Sequence, residues 1–229
     1  MIERLALRRS ATLVLQALLV GRVTDGLQPE RPPLAAPEVR LLDRDTGAAY
    51  GLPGTVKPGG AYAFYGLPDT AFPELATRSY RLRVEASAPG YHQHGVDVDV
   101  GPVADQPQRV TRAAAHGSLP PMAVTLFTGT LPLRVDLTLE RRAVRLSGRV
   151  VEAAAPARGV GGATLTIAAH GLVAHSDARG AFAFAQALPL ALSLEIHVAA
   201  PEYQDATLTF EPDYGQLENS LVIALSEEE

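Results

Sequence analysis

The chain of 229 residues contains no cysteine and no tryptophan, and Lys57 is its single lysine. The absence of cysteine excludes disulfide bonds, thiolate metal sites and cysteine nucleophiles. The 20 basic and 25 acidic residues give a formal net charge of -5. The chain therefore has no broad positive field to attract a phosphate backbone, and we expect no nucleic-acid partner.

Long apolar segments are also missing. Residues 11–20 form an apolar run that follows three arginines, as in a secretion signal, but the run is too short to cross a bilayer. Gln16 interrupts it, and no A-x-A-like cleavage site precedes Gly21. We therefore expect the run to be retained as a first strand, no membrane partner, and a location in the cytoplasm or in a particle built there. Secretion is the alternative.

Turn-forming residues, by contrast, are frequent. The 20 glycines and 18 prolines are scattered between short runs rich in Val, Leu and Thr. Apolar residues in these runs alternate at period two, as in Leu165-x-Ile167 and Phe182-x-Phe184, and helical periodicity is missing. This pattern is typical of an all-β protein made of many short antiparallel strands, with the Phe-x-Phe side chains pointing into a core.

The same order of short motifs occurs twice along the chain, which indicates an internal repeat. The spacing between matched segments falls from one pair to the next, so the first copy is longer than the second by insertions between shared strands. The matched segments are 20–23 with 147–150, 60–64 with 180–184, 82–91 with 194–203, and 122–126 with 221–225.

Each copy contains turn chemistry between about seven strands, the number typical of a sandwich. Asp177 and Gly180 provide a tight turn before the Phe-x-Phe strand, because aspartate bonds its own backbone and glycine tolerates a positive φ. Residues 58–60 provide the same turn in the first copy. The sequence thus predicts two tandem antiparallel β-sandwiches of the Greek-key type, at residues 1–130 and 131–229.

Three motifs of the second copy stand in a particular order: Gly162-Ala163-Thr164-Leu165, then the run from Ser176 to Phe184, then Pro201-x-Tyr203. In this order they resemble the carboxypeptidase regulatory-like domain, and the first copy is similar to it more loosely. The resemblance implies a transthyretin-like (prealbumin-type) sandwich in each copy. It also implies a non-catalytic accessory or interaction role, and it carries over no catalytic residue.

One cluster of side chains could bind a metal. His92 and His94 are followed by Asp97 and Asp99, and imidazole and carboxylate are ligands of zinc and iron. On a regular strand, however, the two histidines lie on one face and the two aspartates on the other. We therefore predict no metal, cofactor or catalytic residue, and an enzyme of unrecognised type using the His92/His94 region is an alternative.

The first copy differs from the second mainly in two longer segments, residues 27–36 and residues 101–121. Loops on a rigid sandwich are frequent places of recognition. We expect a non-catalytic structural or interaction module, an accessory component of a larger bacterial or phage-tail-like assembly. Its protein partners would bind these two segments or the sheet edges. An exported surface or carbohydrate-binding protein is an alternative.

Overall fold

The structure is a computed structural model that describes residues 16–66, 71–102, 108–112, 122–126 and 131–228, with side chains in 16–66, 71–102 and 131–228. Most of the regular structure in these ranges is β-strand, and a short 3₁₀ helix lies at Ala168–His170. No helix among the described residues has the length and apolar character needed to span a membrane. The strands are β1 (Gln16–Asp25), β2 (Glu38–Asp43), β3 (Gly54–Val56), β4 (Ala61–Gly66), β5 (Tyr80–Ser87), β6 (His94–Val100), β7 (Gln108–Arg112), β8 (Met122–Leu126), β9 (Leu133–Arg134), β10 (Leu137–Leu139), β11 (Arg145–Glu152), β12 (Thr164–Ile167), β13 (Leu172–His175), β14 (Ala181–Ala183), β15 (Leu194–Ala199), β16 (Ala206–Phe210) and β17 (Glu218–Leu225).

The chain forms two compact units, and both are discontinuous in sequence. The first unit comprises the described residues within Met1–Val23, Glu38–Ala86 and His94–Leu137. The second unit comprises those within Thr24–Pro37, Ser87–Gln93 and Thr138–Glu229. Two segments of the first sequence copy therefore belong to the second unit, while the predicted boundary between residues 130 and 131 stays a prediction.

The second unit is a seven-stranded sandwich. One sheet has the order β14-β11-β17, and the other has the order β13-β12-β15-β16. Alternate side chains of both sheets point inward, so that β15, for example, buries Leu194, Ile196 and Val198 and exposes the residues between them. The buried core cluster extends from Val144 to Leu225. The expectation of an all-β fold with antiparallel sheets arranged as a β-sandwich is confirmed.

Most residues of a sheet of order β10-β1-β4-β3, in which β9 also pairs with β1, belong to the first unit. The sheet β2-β5-β6 and the hairpin of β7 and β8 complete the described strands of this unit. As predicted, the Phe-x-Phe pattern and its counterpart point into the cores. Tyr62 and Phe64 are buried, and their rings pack edge-to-face with centroids 6.0 Å apart. The rings of Phe182 and Phe184 are also buried and pack edge-to-face, with centroids 6.2 Å apart. Such pairs are favoured by the quadrupoles of the rings.

The glycine of the repeated Gly-Arg-Val motif is explained by close approach of a neighbouring strand. A Cβ atom at Gly148 would stand 1.8 Å from the carbonyl oxygen of Leu221, and one at Gly21 would stand 1.8 Å from the carbonyl oxygen of Val135. In each copy the first strand therefore needs glycine at this position, because any side chain would collide with backbone.

The strand that lies parallel to β1 is not the one that the sequence match suggested. Residues 122–126, matched with the closing strand β17, form β8 and pair with β7. The strand parallel to β1 is β9, with Leu19 opposite Leu133, just as β17 is parallel to β11 in the second unit. The match of residues 122–126 was misleading because short apolar alternation is shared by nearly every strand of this chain.

Candidate functional site

The loop that joins β1 to β2 is held on the second unit by side chains from distant parts of the sequence. We call residues 24–37 the anchored loop. The amide of Leu34 donates a hydrogen bond to the Tyr91 hydroxyl at 2.9 Å, and the amide of Leu27 donates one to Asp25 Oδ1 at 2.8 Å. Leu27 also packs against the core of this unit. The loop is therefore part of the folded unit, although the second sequence copy lacks it.

The anchor itself is a buried ion pair. Asp25 is 1% exposed and Arg141 5% exposed, with Arg141 Nη2 2.7 Å from Asp25 Oδ2. The hydroxyl of Tyr91 donates a second hydrogen bond to Asp25 Oδ2 at 2.6 Å. The guanidinium of Arg141 also lies over the ring of Tyr214, 4.8 Å from its centroid. Charge-assisted bonds in such a buried site are strong and strongly directional.

The protonation states of this cluster are settled by its contacts. Burial by itself would raise the pKa of the Asp25 carboxyl, but hydrogen bonds from Arg141 and Tyr91 outweigh it and hold this pKa below its ordinary value. Burial, followed by the hydrogen bond to Asp25, raises the pKa of Tyr91. At neutral pH the cluster is a carboxylate, a guanidinium and a neutral phenol.

This cluster is suited to holding structure and unsuited to catalysis. The Asp25 carboxylate accepts bonds from Arg141, from Tyr91 and from the amides of Leu27 and Gln28. Its lone pairs are thus used by groups of the protein, and a base must reach a substrate proton to act. We interpret the cluster as the anchor of a loop whose outer side remains exposed.

The outer side of the anchored loop combines one large apolar side chain with charge. Leu34 is 65% exposed, and Glu30 and Arg31 have side chains 69% and 68% exposed. Pro33 and Pro37 are buried, which fixes the backbone on either side of Leu34. The structure thus presents residues 29–31 and 34–36 to solvent from a backbone that is held in place.

The predicted histidine and aspartate cluster does not converge on a point. On β6 the aspartates face away from the core and form ion pairs, Asp97 with Arg83 at 3.0 Å and Asp99 with Arg44 at 3.4 Å. His92 and His94 are exposed. Among the residues that the structure describes, no three His, Asp or Glu side chains are placed to hold a metal ion.

A surface cavity of about 490 Å³ lies in the first unit. The hydroxyl of Tyr50 at this cavity donates to the carbonyl oxygen of Ala71 at 2.7 Å, and burial raises the pKa of Tyr50 to about 12. Its described lining carries no charged side chain and consists of Tyr50, Gly51, Leu52, Pro53, Gly66, Ala71 and Pro73. Tyr50 is the titratable side chain of this described lining, and its hydroxyl proton is already donated to Ala71.

The second predicted contact segment, residues 101–121, lies for two thirds of its length outside the described residues. Only Gly101, Pro102 and β7 within it are described. The anchor residues, in contrast, were not predicted as a site. Two sequence signals pointed to them. One is the recurring Pro-x-Tyr motif, which ends at Tyr91 in the first copy and at Tyr203 in the second. The other is the Leu-x-Leu-x-Arg motif that ends at Arg141.

Comparison with known proteins adds structural neighbours of low similarity. No protein-family model and no curated protein matches the chain. Among solved structures, the Bacillus anthracis TIE protein is 12% identical with a TM-score of 0.37, and the match covers 93% of this chain and 34% of that one. The shaft pilin SpaA from Lactobacillus rhamnosus GG is 10% identical with a TM-score of 0.30, over 94% and 99% of the two chains.

A third match is BcpA, the major pilin subunit of Bacillus cereus, 10% identical with a TM-score of 0.31 over 91% of this chain and 59% of that one. Identities and TM-scores at this level transfer no activity. The matches do not confirm the carboxypeptidase regulatory-like resemblance. The expected location in the cytoplasm is contradicted by these comparisons, whose matches include shaft and major pilins, and that expectation is withdrawn.

Proposed function

We propose that the protein is a non-catalytic structural and interaction module, a component of a larger bacterial assembly. The observation that carries the proposal is the use made of the buried charges. Asp25, Arg141 and Tyr91 fix the anchored loop, and this loop exposes the large apolar side chain of Leu34 to 65%. A catalytic site would instead turn titratable groups toward a cleft.

The anchored loop is built to bind a partner at low entropic cost. Proline restricts the free backbone, and the bonds to Asp25 and Tyr91 restrict it further, so that little order has to be imposed on binding. Leu34 provides an apolar contact, and Glu30 and Arg31 provide charges at its margin, which is the usual anatomy of a small protein interface.

Two finer elements of the proposal rest on sequence alone. Residues 101–121 remain a second contact segment, and the carboxypeptidase regulatory-like resemblance remains the basis for the accessory role. Both agree with a non-catalytic module, since carboxypeptidase regulatory-like domains are accessory parts of larger proteins or assemblies.

The test compares Leu34→Asp with Leu192→Asp in the full chain. Leu192 is a matched control because it is also a leucine of the second unit and is 52% exposed. Proteins that co-purify with the tagged native chain are quantified by mass spectrometry for both variants. We expect Leu34→Asp to deplete the specific partners at least about tenfold, the effect of losing about 1.4 kcal/mol of binding energy, and Leu192→Asp to retain them.

Thermal unfolding of both variants checks that neither has lost its fold, because both leucines are exposed and their replacement should be nearly neutral. Equal recovery of all partners by both variants would contradict the role of the anchored loop. Elemental analysis of untagged protein gives an independent test, and one equivalent of zinc or iron lost in a His92→Ala variant would favour the enzyme alternative.

A further inference from the structure

The longest open sheet edge in the second unit is β17. Within the described residues, the edge strands of this unit are β13, β14, β16 and β17. β17 has eight residues, whereas β14 has three, β13 four and β16 five. β17 is hydrogen-bonded to β11 along its full length in an unbroken parallel register without a bulge.

The direction of each backbone group on β17 follows from two hydrogen bonds. The carbonyl of Leu217 accepts from the amide of Arg145 at 2.9 Å, and the carbonyl of Leu225 accepts from that of Ala153 at 2.8 Å. Along a parallel strand, successive residues point their N–H and C=O groups to alternate sides. The odd-numbered residues of β17 therefore face β11, and the even-numbered residues face the open edge.

The open part of this edge ends near the end of the strand. The amide of Gln204 donates to the carbonyl of Ser226 at 2.9 Å, and Tyr203 forms a β-bridge with Glu227. These bonds confirm that even-numbered residue 226 faces the same side, where residues 203 and 204 cover it. Within the part of the chain that the structure describes, the uncovered backbone groups of β17 belong to residues 218, 220, 222 and 224.

Glu218, the first residue of β17, is the strand's one charged residue, and the rest of the strand has no feature that protects an edge. Natural edge strands are usually protected by charged side chains, proline or a bulge. Between Asn219 and Leu225 there is no charged residue and no proline, and Val222 is 66% exposed. A small side chain stands on each side of Val222 on the same face, Ser220 and Ala224. A strand without a bulge, and uncharged beyond its first residue, accepts another strand beside it.

We infer that β17 pairs with β17 of a second copy of this chain, antiparallel and centred on Leu221. This self-association rests on the interaction role proposed above. It specifies the surface, which is the open edge of β17, and the partner, which is a second copy of the chain. In this register Glu218 lies opposite Ala224, Ser220 lies opposite Val222, and Leu221 lies opposite itself. Every outward-facing residue of one strand meets an outward-facing residue of the other, which gives about eight hydrogen bonds across the pair.

A second copy suits this edge because the pairing is self-complementary. No acidic side chain meets another acidic side chain, and the register uses the uncovered length from 218 to 224 and no more. β16 is different: the acids Asp205 and Glu211 flank it, and antiparallel self-pairing about its central residue would place them opposite each other. Like charges directly opposite destabilise a strand pair, so β16 is disfavoured as the edge for self-association.

The test measures the mass of the full chain by sedimentation equilibrium over a range of concentrations. We expect a reversible, concentration-dependent dimer of twice the 24.2 kDa of one chain. Val222→Lys should shift the equilibrium toward monomer at least about tenfold, because it places a charge on the shared edge. Val222→Thr keeps a β-branched uncharged residue and should still dimerise, and Thr207→Lys, which adds the same charge to β16, should leave the dimer unchanged.

Amide hydrogen exchange gives a readout that a change in folding alone would not produce. At dimer-forming concentration the amides of Ser220, Val222 and Ala224 should become protected, and dilution or Val222→Lys should remove that protection. The amides of Leu221 and Ile223 should stay protected throughout, because they face β11 within one chain.

Three results would overturn the inference: a monomer at every concentration, a dimer that Val222→Lys leaves intact, or equal loss of the dimer in Val222→Lys and Thr207→Lys. None of them bears on the partner-depletion test of Leu34→Asp, so failure of the self-association and failure of the proposed function are distinguishable.

Discussion

Removing the charge of Asp25 should destabilise the protein far more than removing the charge of an exposed carboxylate. Asp25→Asn leaves the guanidinium of Arg141, only 5% exposed, without its counter-ion. Breaking a buried pair from one side typically costs about 3–5 kcal/mol, because an uncompensated buried charge remains. Against a total stability of about 5–15 kcal/mol, this is a large fraction.

Glu38→Gln is the matched control. Glu38 pairs with Arg40 at 2.8 Å, nearly the distance of the buried pair, but both side chains are 61% exposed. Pairs of this kind contribute about 0–1 kcal/mol. The two variants therefore remove one carboxylate each at similar ion-pair distances, and burial is the main difference between the pairs.

Urea unfolding of the full chain at pH 7, followed by circular dichroism, gives the free energy of unfolding for both variants. A double variant, Asp25→Asn with Arg141→Met, should be more stable than Asp25→Asn alone, because it removes the uncompensated charge. The asparagine side-chain oxygen can still accept the amide of Leu27. Its amide nitrogen, however, replaces the oxygen that accepts from Arg141 and Tyr91, so the variant removes the charge together with these hydrogen bonds.

The pH dependence of the free energy of unfolding provides a second test of the role of Asp25. Because the folded-state pKa of Asp25 lies below its ordinary value of 3.8, its contribution to stability is complete above that pH and is lost as the pH falls through the folded value. The difference in stability between the native protein and Asp25→Asn should therefore be constant near neutral pH and shrink below about pH 4. Asp43 and Asp177 also have lowered pKa values, but they are present in both proteins and cancel in the difference.

The reasoning is refuted if Asp25→Asn costs no more than Glu38→Gln, or if the stability difference does not change below pH 4. Either result would mean that water or another group compensates Arg141 as well as Asp25 does.

The remaining predictions concern the glycine contact and the second sandwich. Gly148→Ala should cost about 1–3 kcal/mol or more, because its Cβ would stand 1.8 Å from the carbonyl oxygen of Leu221, whereas Gly59→Ala, with nothing within 4 Å, should be nearly neutral in the same urea assay. A fragment of residues 133–229 should fold by itself and give dispersed amide NMR signals, since the core cluster of the second unit lies inside it. It should unfold at a lower temperature than the full chain because it lacks the anchored loop. A molten fragment would show that the second sandwich needs strands of the first copy.

The features that sequence reasoning predicted correctly depend on local chemistry. Period-two alternation and turn residues are read within a few positions, and they predicted the strands and the inward Phe-x-Phe side chains. The turn before β14 is of this kind: Gly180 has φ of +77°, and Asp177 Oδ1 accepts the amides of Arg179 and Ala181 at 2.8 Å each. Such contacts span at most four residues, so the sequence contains all the information that they need.

The candidate site could not be predicted in the same way, because its partners are far apart in sequence. Asp25 and Arg141 are separated by 116 residues, and Asp25 and Tyr91 by 66. No spacing rule relates residues at such distances. Residues 27–36 were interpreted as an insertion that folding does not need, since the second copy lacks them, but the contacts of this segment with Asp25 and Tyr91 make it part of the second unit.

The internal repeat shows which part of the buried ion pair can be related to sequence and which part cannot. The residue that matches Asp25 in the second copy is Glu152, and both acids are buried at the end of the first strand of their copy. Glu152 pairs with the nearby Arg158 at 3.2 Å, whereas Asp25 pairs with Arg141 on a distant segment. The repeat thus contains a buried acid at the same position twice, although the sequence alone did not predict its burial. A buried acid needs a cation, and the cation that lies near it differs between the copies. The same matched position therefore holds a local ion pair in one copy and the anchor of a loop in the other.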